Sequence, residues 1–445
     1  MDKEKMEKGK VLPLLFELSV PAMIGMLVNA IYNIVDRMFI GNAPHLGSMG
    51  LAGITISYPV TLVLMALSLM AGVGGSTRFS IALGAKENEK AKYFQGNALM
   101  ITILFGLFFM VFGNIFMEPI LKILGASEQI LPYARSYLSI ILYGGVFQCV
   151  AMCGNNFSRA QGNARNAMVS QMLGAGFNIL FDYILIVQCH MGMEGAALAT
   201  IGGQFLSMVW QLSFLFGKRS LIQCRFSHMK LKKDYALVII ETGVPAFLMQ
   251  MSTSLLNIVI NGTLGKYGGD TAISTVGIVT SIQTLMLMPL TGMTQGQQPI
   301  MSYNFGAKRY DRVKETLKYT IIGSTIIAFI GFSVIELFPQ AIISMFNNEQ
   351  EIIKLGKVVL RIWFLCLPLV GCQMMCANFF QAVGRVKKSS FLNLLRQCIL
   401  LIPFILILSN IFGLYGTFIA VPLSDVISFV ITMYLIKKEI KEFTV

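Results

Sequence analysis

Long apolar stretches recur along the whole chain and alternate with short polar loops. Each stretch is long enough to cross a bilayer as a helix, which takes about 20 residues. The pattern predicts an all-α membrane protein with twelve transmembrane helices. We place them at 14–40, 51–79, 94–117, 132–156, 166–188, 194–217, 236–264, 272–300, 316–338, 357–382, 389–410 and 415–436.

The second half of the chain repeats the first. The segment VPAMIGMLVNAIYNIVDRMFIG (20–41) aligns with VPAFLMQMSTSLLNIVINGTLG (244–265), and GAKENEKAK (84–92) aligns with GAKRYDRVK (306–314). Two further matches follow in the same order at nearly the same separation. Because each copy crosses the membrane an even number of times, the copies share one topology and are related by a pseudo-twofold axis along the membrane normal.

This repeat predicts a chain of two six-helix bundles. Residues 1–217 form the N-terminal bundle, 218–235 a basic linker, and 236–445 the C-terminal bundle. Transporters built from repeats hold their substrate at the repeat interface and work by rocking one repeat against the other. We therefore expect a cleft between the two bundles and a rocking-bundle mechanism of alternating access.

Charge is sparse but ordered. Only 13% of residues are charged, against 55% hydrophobic, and the net charge is +13. The basic residues cluster in alternate loops, above all in 218–233, as the positive-inside rule describes. Both termini are therefore expected in the cytoplasm of a bacterial cell, with lipids and not nucleic acid as the surroundings. The first apolar stretch has no small-residue cleavage pattern, so we interpret it as a retained span.

Four polar residues lie at one depth within the spans of the first bundle. Asp36, Tyr137, Asp182 and Thr200 are each five or six residues from the outer end of their span, which places them about 7–9 Å below that surface. Neighbouring polar positions extend this layer into stripes, which must face the protein because lipid cannot satisfy them. The stripes are Asn29–Asn33–Asp36, Asn178–Asp182 and Thr200–Gln204.

The repeat serves as an internal control for this layer. The positions of the second bundle that align with Asp36, Asn178, Asp182 and Thr200 are apolar, so the fold itself does not require acids there. Burial and mutual repulsion disfavour two charged carboxylates, so we expect Asp36 and Asp182 to bind a proton near neutral pH. Structural pairing, with Arg37 for example, remains an alternative. The aligned apolar residues are Ile260, Leu400 or Ile399, Phe404 or Pro403, and Val421.

Several of these segments together resemble the multidrug and toxic compound extrusion (MATE) family over nearly the whole chain. They are the segment at 20–41 and GAKENEKAK quoted above, FNILFDYILI (177–186), GMEGAALAT (192–200) and GQQPIMSYNFGAK (296–308), the last of which looks like the branch with DinF- and MepA-like members. The resemblance implies export of cationic, amphipathic compounds from the cytoplasm, driven by inward H⁺ or Na⁺.

The resemblance also implies a coupling-ion pocket. In DinF-like proteins a helix 1 aspartate preceded by a proline, an Asn-x-x-x-Asp on helix 5 and a helix 6 threonine form it, and Asp36 with Pro21, Asn178 with Asp182, and Thr200 match that pattern. The sodium-coupled NorM-like branch carries acids on helices 7 and 10, whereas helix 7 of this chain offers Gln250, Asn257 and Asn261 and helix 10 offers no acid. We therefore favour H⁺, with Na⁺ at Asp36 and Asp182 as the alternative because carboxylate, amide and hydroxyl oxygens also bind hard cations.

Other intramembrane positions are candidates for the substrate cleft or for hinges. Asp425 aligns with Gln204 and stands alone in the sequence, so it is either a buried hydrogen-bonding residue or part of the cleft. Methionines suit varied flat cations, although ordinary packing explains them as well. The cleft candidates are Asn33, Gln204, Asn257, Gln283, Met286, Met288 and Asp425. Tyr137 is added to the residues of the expected coupling-ion pocket. The hinge candidates are Pro21 and Pro245.

Rival functions are weighed on their sequence signatures. The basic loop motif of the major facilitator superfamily is absent between helices 2 and 3, and no catalytic motif supports an enzyme or a resident cofactor. A lipid-linked oligosaccharide flippase would need cations in its cleft, and Arg78, Arg361 and Arg396 leave that alternative open, as does a dedicated metabolite exporter. We expect a monomer that exports a small organic cation.

Overall fold

The structure is a computed structural model that describes residues 3–43, 46–347 and 349–442. Ten of its helices are each long and apolar enough to span a membrane, and two bent pairs of shorter helices bring the number of spans to twelve within the described residues. The predicted fold class, an all-α protein of twelve spans in two related bundles, is confirmed.

The first six spans form what we call the N-lobe. Two of its connections contain further helical turns, Met117–Ile123 before α4 and a 3-10 turn at Phe226–Met229 after α6. The spans are α1 (Val11–Asn42), α2 (Gly47–Gly84), α3 (Asn88–Ile115), α4 (Leu131–Tyr143 with Gly145–Ala160), α5 (Ala164–Gln188) and α6 (Gly192–Phe216).

The last six spans form the C-lobe, with a short helix at Pro339–Ser344 before α10. The spans are α7 (Lys233–Gly269), α8 (Thr271–Gly306), α9 (Tyr310–Leu337), α10 (Gln350–Phe364 with Leu367–Ala382), α11 (Val386–Phe412) and α12 (Leu414–Glu442).

Most helices extend beyond the apolar stretches that predicted them. Helix α2 was predicted at 51–79 and runs over Gly47–Gly84, because the helix continues at both ends through glycine, serine and further apolar residues. No loop separates α7 from α8: the chain turns at Gly269, whose φ of 60° and ψ of −159° suit glycine alone. The linker between the lobes ends where α7 begins at Lys233, slightly before the predicted boundary at residue 235.

Two spans are broken at matching places in the lobes. Helix α4 bends by 53° between Tyr143 and Gly145, and α10 bends by 43° between Phe364 and Leu367. In α10, Pro368 lies in the first turn after the break and has no backbone N–H to donate to the carbonyl of Phe364. In α4 the break falls at consecutive glycines. Only proline has a lower helix propensity than glycine.

The lobes are in contact through glycines at aligned positions of the repeat. A Cβ on Gly84 would overlap the carbonyl oxygen of Tyr303, and a Cβ on Gly306 would overlap the carbonyl oxygen of Ile81. Gly84 aligns with Gly306 and Ile81 with Tyr303, so the two contacts are related by the pseudo-twofold axis. They lie at the end of the molecule that carries the chain termini and the linker, which we call the basic end.

The N-terminal segment crosses to the C-lobe at this basic end. Arg312 Nη2 donates a hydrogen bond of 2.7 Å to the carbonyl of Gly9, and Arg309 Nη1 donates one of 2.9 Å to the carbonyl of Glu7. The side chain of Met6 is buried in a hydrophobic cluster that contains Phe79 of the N-lobe and Tyr303 of the C-lobe. The segment before α1 is thus strapped to the start of α9.

Candidate functional site

The carboxyl groups of Asp36 on α1 and Asp182 on α5 lie close together inside the N-lobe. They are near enough to interact electrostatically with each other. Both residues are buried, with 8% and 0% of their surface exposed. Asp36 Oδ1 and both oxygens of Asp182 accept no hydrogen bond from any described residue. A buried carboxylate without a donor is costly, so the pair is an acceptor site for a proton or a cation.

The local backbone of α5 changes at this pair. The α-helix ends at Asp182, and Tyr183–Gln188 continues as a π-helix. π-Helical turns are rare and frequently occur at functional sites. At this change of helix type Asp182 is buried, whereas the next residue, Tyr183, is exposed.

Amide and hydroxyl groups surround the two acids. Asn178 Nδ2 donates to Thr200 Oγ1 at 3.3 Å, and Thr200 Oγ1 donates to the carbonyl of Ala196 at 3.0 Å. Asn178 Oδ1 is buried and accepts nothing from the described residues. Tyr137 is buried, and its hydroxyl interacts with the side chain of Thr200. The five residues expected in the coupling-ion pocket, Asp36, Tyr137, Asn178, Asp182 and Thr200, therefore lie together.

Tyr32 also belongs to this cluster, although the sequence reasoning did not single it out. Its ring is close enough to Asp36 and Asp182 for their charges to act on it, and its hydroxyl interacts with Asn33. The signal was present in the sequence, because Tyr32 precedes Asp36 by one helical turn and so shares its face.

Exposed polar side chains indicate that the lobes are apart at the end of the molecule opposite the basic end. Asn33 and Arg37 on α1 are exposed, and so are Asn257 and Asn261, which align with them on α7. Polar side chains at these depths cannot face lipid, so they line a water-filled space. The space runs alongside the face of α1 next to Asp36.

Arg37 does not neutralise the acid pair. Its side chain is exposed, and no ion pair between Arg37 and either acid occurs among the described residues. Its charge still acts on Asp36, but from further away than the distance of an ion pair. Structural pairing with Arg37, the alternative left open by the sequence, is therefore not the arrangement found.

The structure corrects the sequence interpretation of Asp425. Asp425 does not stand alone: its Oδ1 accepts a hydrogen bond of 2.7 Å from Arg396 Nε, and both side chains are largely buried. With Gln283 they line a cavity enclosed by helices of the C-lobe. The pairing was invisible in the sequence because the two residues lie on different helices.

The remaining cleft candidates occupy different surroundings. Met286 packs into the C-lobe core and against Gly331, so the structure assigns it to ordinary packing. Met288 is half-buried. Gln204, one turn from Thr200, has a buried Oε1 without a partner among the described residues and extends the acid cluster towards the basic end.

Both hinge candidates lie inside continuous helices. Pro21 is buried within α1, and Pro245 lies within α7, where its carbonyl accepts a hydrogen bond of 3.3 Å from Asn393 Nδ2. Each proline leaves the carbonyl four residues earlier without its helical donor. Whether these positions bend during transport stays a prediction.

Comparison with known proteins agrees with this architecture. The family model described as MatE matches residues 21–184 and again 245–407, one match for each half of the repeat. The multidrug export protein MepA of Staphylococcus haemolyticus (strain JCSC1435) is 27% identical over 430 residues, covering 97% of this chain and 94% of that protein. MepA of Staphylococcus aureus (strain NCTC 8325 / PS 47) is 28% identical over 410 residues, covering 92% and 90%.

Solved structures show the same fold. The MATE multidrug transporter DinF-BH, solved in complex with a ligand, is 35% identical, superposes with a TM-score of 0.90 and covers 97% of each chain. An outward-facing multidrug resistance MATE family transporter of the MOP superfamily superposes with a TM-score of 0.93 at 23% identity, covering 100% of this chain and 99% of the other.

Proposed function

This chain belongs to the MatE family, and from that premise we propose that it is a secondary active antiporter that exports amphipathic cations from the cytoplasm in exchange for H⁺. Relatives named as multidrug export proteins match nearly its whole length, and so does the multidrug transporter DinF-BH. The observation that carries the ion coupling is the buried pair of Asp36 and Asp182 without donors, at positions that are apolar in the C-lobe.

The acid pair can couple proton entry to a change in helix packing. With both carboxyl groups charged, repulsion and desolvation strain the contact between α1 and α5. One proton placed between Asp36 and Asp182 removes a charge and supplies the missing hydrogen-bond donor. Because Asn33 and Arg37 on the same helix line the open space, a shift of α1 changes the surface that a bound cation meets.

Alternating access follows from the two-lobe architecture. The lobes are packed together at the basic end through Gly84 and Gly306, and the opposite end is open. We propose that the basic end faces the cytoplasm, since the linker carries the basic residues that the positive-inside rule places there. Protons then enter the acid pair from outside, and rocking of the lobes exposes the pair and the cleft to the cytoplasm. In this proposal the protein acts as a monomer in a bacterial cytoplasmic membrane and needs no cofactor.

Sodium is the second candidate for the coupling ion. Asn178 Oδ1 and the carboxyl oxygens of the pair are buried acceptors, and oxygen ligands of this kind suit a hard cation. The C-lobe offers no equivalent: the residues aligned with Asp36 and Asn178 are apolar. We therefore keep H⁺ as the proposal and let the choice rest on the gradient experiment described below.

Three arginines that left a flippase open in the sequence are engaged within the protein. Arg396 is paired with Asp425, Arg361 interacts with Glu336 at 3.4 Å, and Arg78 Nε donates to Thr242 Oγ1 at 2.7 Å. None of these three is therefore free to hold a pyrophosphate group, which favours an exporter over a flippase as far as they are concerned.

Transport of ethidium by the purified protein tests the proposal, because ethidium is a flat, fluorescent organic cation. Proteoliposomes that contain the chain and an imposed proton gradient should move ethidium in the direction opposite to proton flow. Liposomes without protein, and liposomes whose gradient is collapsed with an ionophore, serve as controls. No movement of ethidium or of any cation in a broad panel would count against a multidrug antiporter and favour a dedicated metabolite exporter.

A further inference from the structure

A second group of unsatisfied polar atoms surrounds a cavity between the lobes towards the basic end. The cavity has an empty volume of about 210 Å³, its open side included, and has room for a group of about the size of one water molecule. None of its residues belongs to the acid cluster, and both lobes contribute to its wall. The lining residues are Ser76 and Ser80 of α2, Asn156, Arg159 and Ala160 of α4, and Gln295, Gln298 and Pro299 of α8.

Arg159 is a buried cation that has no counter-charge among the described residues. Only 7% of its surface is exposed, and the described residues offer it one hydrogen bond, from Nη2 to Asn156 Oδ1 at 3.0 Å. Nη1 is buried, and within the described part of the chain it has no hydrogen-bond partner and no acidic side chain acts on the guanidinium. Arginine keeps its proton in proteins, so the charge cannot be removed by titration. A buried charge of this kind requires a partner.

Two further atoms without partners face the same cavity. Ser80 Oγ on α2 and Gln295 Oε1 on α8 are buried and unsatisfied among the described residues. The Gln295 amide is held only by a long contact of 3.8 Å between its Nε2 and Met26 Sδ. Rotation of that amide would turn Nε2 into the cavity at little cost. Arg159, Ser80 and Gln295 then present three donors from two lobes to one cavity.

We propose that this cavity binds a small anion of halide size, which clamps the two lobes together at the basic end. The unpaired guanidinium requires a ligand of negative charge, because a water molecule can accept its hydrogen bond but cannot neutralise it. The small room inside the cavity sets the size of the ion and favours a single-atom anion over a tetrahedral oxyanion such as phosphate. Chloride is the abundant ion that meets both conditions.

The position of the site gives the anion a conformational effect. Arg159 and Ser80 belong to the N-lobe and Gln295 to the C-lobe, so a bound anion bridges the interface. Next to it, Gln298 Nε2 donates a hydrogen bond of 2.7 Å to Thr77 Oγ1 across the same interface. Separation of the lobes at the basic end would pull the donors apart and release the ion. The anion therefore stabilises the arrangement that is closed at the basic end.

The repeat supplies a matched variant. Arg159 aligns with Gln381 of the C-lobe, so the fold accommodates glutamine at this place in α10. The change Arg159→Gln removes the charge and leaves a shorter side chain that is still polar. Arg361→Gln is the control, since Arg361 is an exposed arginine on the other lobe.

Thermal unfolding of the full-length protein in detergent tests the site. Sodium chloride is titrated against sodium gluconate at constant ionic strength, because gluconate is too large for the cavity. Wild type and Arg361→Gln should gain melting temperature with chloride in a saturable way, and Arg159→Gln should gain none. Ser80→Ala, which keeps the charge, should raise the half-saturating chloride concentration about 3–10-fold, the effect of one hydrogen bond. An equal chloride response in wild type and Arg159→Gln would overturn the proposal.

Crystals of the wild type grown in sodium bromide provide a test that needs no variant. Bromide scatters anomalously, so an anomalous peak between Arg159 Nη1 and Ser80 Oγ is the expected result. A cavity that holds only water, with bromide bound elsewhere on the surface, would reject the site. Both readouts measure binding and not transport, so the anion site and the proposed antiport function can fail separately.

Discussion

Gly243 on α7 lies directly against the carbonyl oxygen of Met70 on α2, with no room for a side chain between them. Small residues let membrane helices approach this closely, and the contact joins the two lobes near the basic end. Gly74, one turn further along α2, packs against the backbone of Gly243, and its repeat partner Gly296 on α8 packs against the backbone of Ser19 on α1. The closed side of the molecule is thus a pair of backbone contacts related by the pseudo-twofold axis.

Adding one methyl group at this contact should therefore push the lobes apart. In Gly243→Ala the new Cβ would overlap the carbonyl of Met70, which is backbone and cannot turn away. We expect a longer distance between spin labels at Lys90 and Asp311, exposed positions on the two lobes at the basic end, measured by pulsed electron paramagnetic resonance.

Gly277→Ala is the matched control, because no heavy atom lies within 4 Å of a Cβ there. It should leave the label distance unchanged. If Gly243→Ala gave the same distance distribution as the wild type, the glycine contact would not be what holds the basic end closed.

Removing one acid of the buried pair should stop coupled export. Asp182→Asn keeps the size of the side chain but cannot take up or release the coupling proton. Ethidium export driven by a proton gradient should fall to the level of liposomes without protein, while the elution profile and melting temperature show a folded chain. Glu194→Gln, an exposed carboxylate at the same end of the molecule, should export normally. Full export by Asp182→Asn would exclude Asp182 from the coupling step.

The two candidate coupling ions predict opposite outcomes in one liposome experiment. With the proton gradient collapsed and a sodium gradient imposed, ethidium transport should stop if the acid pair carries H⁺. With a proton gradient and no sodium on either side, transport should continue. Transport under the sodium gradient alone would assign Na⁺ to the oxygens of Asp36, Asp182 and Asn178.

Breaking the ion pair of Arg396 and Asp425 should destabilise the protein more than replacing both partners together. Asp425→Leu leaves the Arg396 charge buried without a partner, which costs about 3–5 kcal/mol of stability. The double variant Arg396→Met, Asp425→Leu replaces the pair by apolar groups and should recover most of that loss. Thermal unfolding in detergent measures the stability of all three proteins.

Because this pair lies in the C-lobe apart from the acid cluster, the double variant should also keep ethidium export. A folded double variant that no longer exported ethidium would instead assign the pair a role in the cleft.

Two cysteines report which end of the molecule faces the cell exterior. Cys189 is exposed in the turn between α5 and α6, whereas Cys224 lies buried in the linker at the basic end. Burial raises the pKa of the Cys224 thiol to about 12, so the reactive thiolate is scarce at pH 8. A membrane-impermeant maleimide applied to intact cells should label Cys189 rapidly, and Cys189→Ser should remove that signal. Protection of Cys189 in intact cells, with labelling only after lysis, would reverse the proposed orientation.

Much of the architecture was accessible from the sequence because membrane helices and repeats leave strong local signals. Apolar length gave the spans, and the alignment of the halves gave the pseudo-twofold relation. The layer containing Asp36 and Asp182 was predicted from depth alone, since a carboxylate in hydrocarbon has few places to face. The structure adds that the two carboxyl groups lie together.

Features that depend on contacts between distant segments were not accessible. Arg396 and Asp425 looked unrelated because no spacing rule connects residues on α11 and α12. The bends in α4 and α10 were missed because glycine and proline are common in transmembrane helices and do not by themselves mark a break. The exposure of Arg159 to a cavity between the lobes likewise depends on how α2, α4 and α8 meet.

The strap of Arg309 and Arg312 on the N-terminal segment has a practical consequence for anyone who expresses this protein. The carbonyls of Glu7 and Gly9 are fixed against the other lobe, and the nearby side chain of Met6 is buried. An affinity tag or fluorescent fusion attached next to this segment would pull on a contact that has to loosen in the proposed rocking of the lobes.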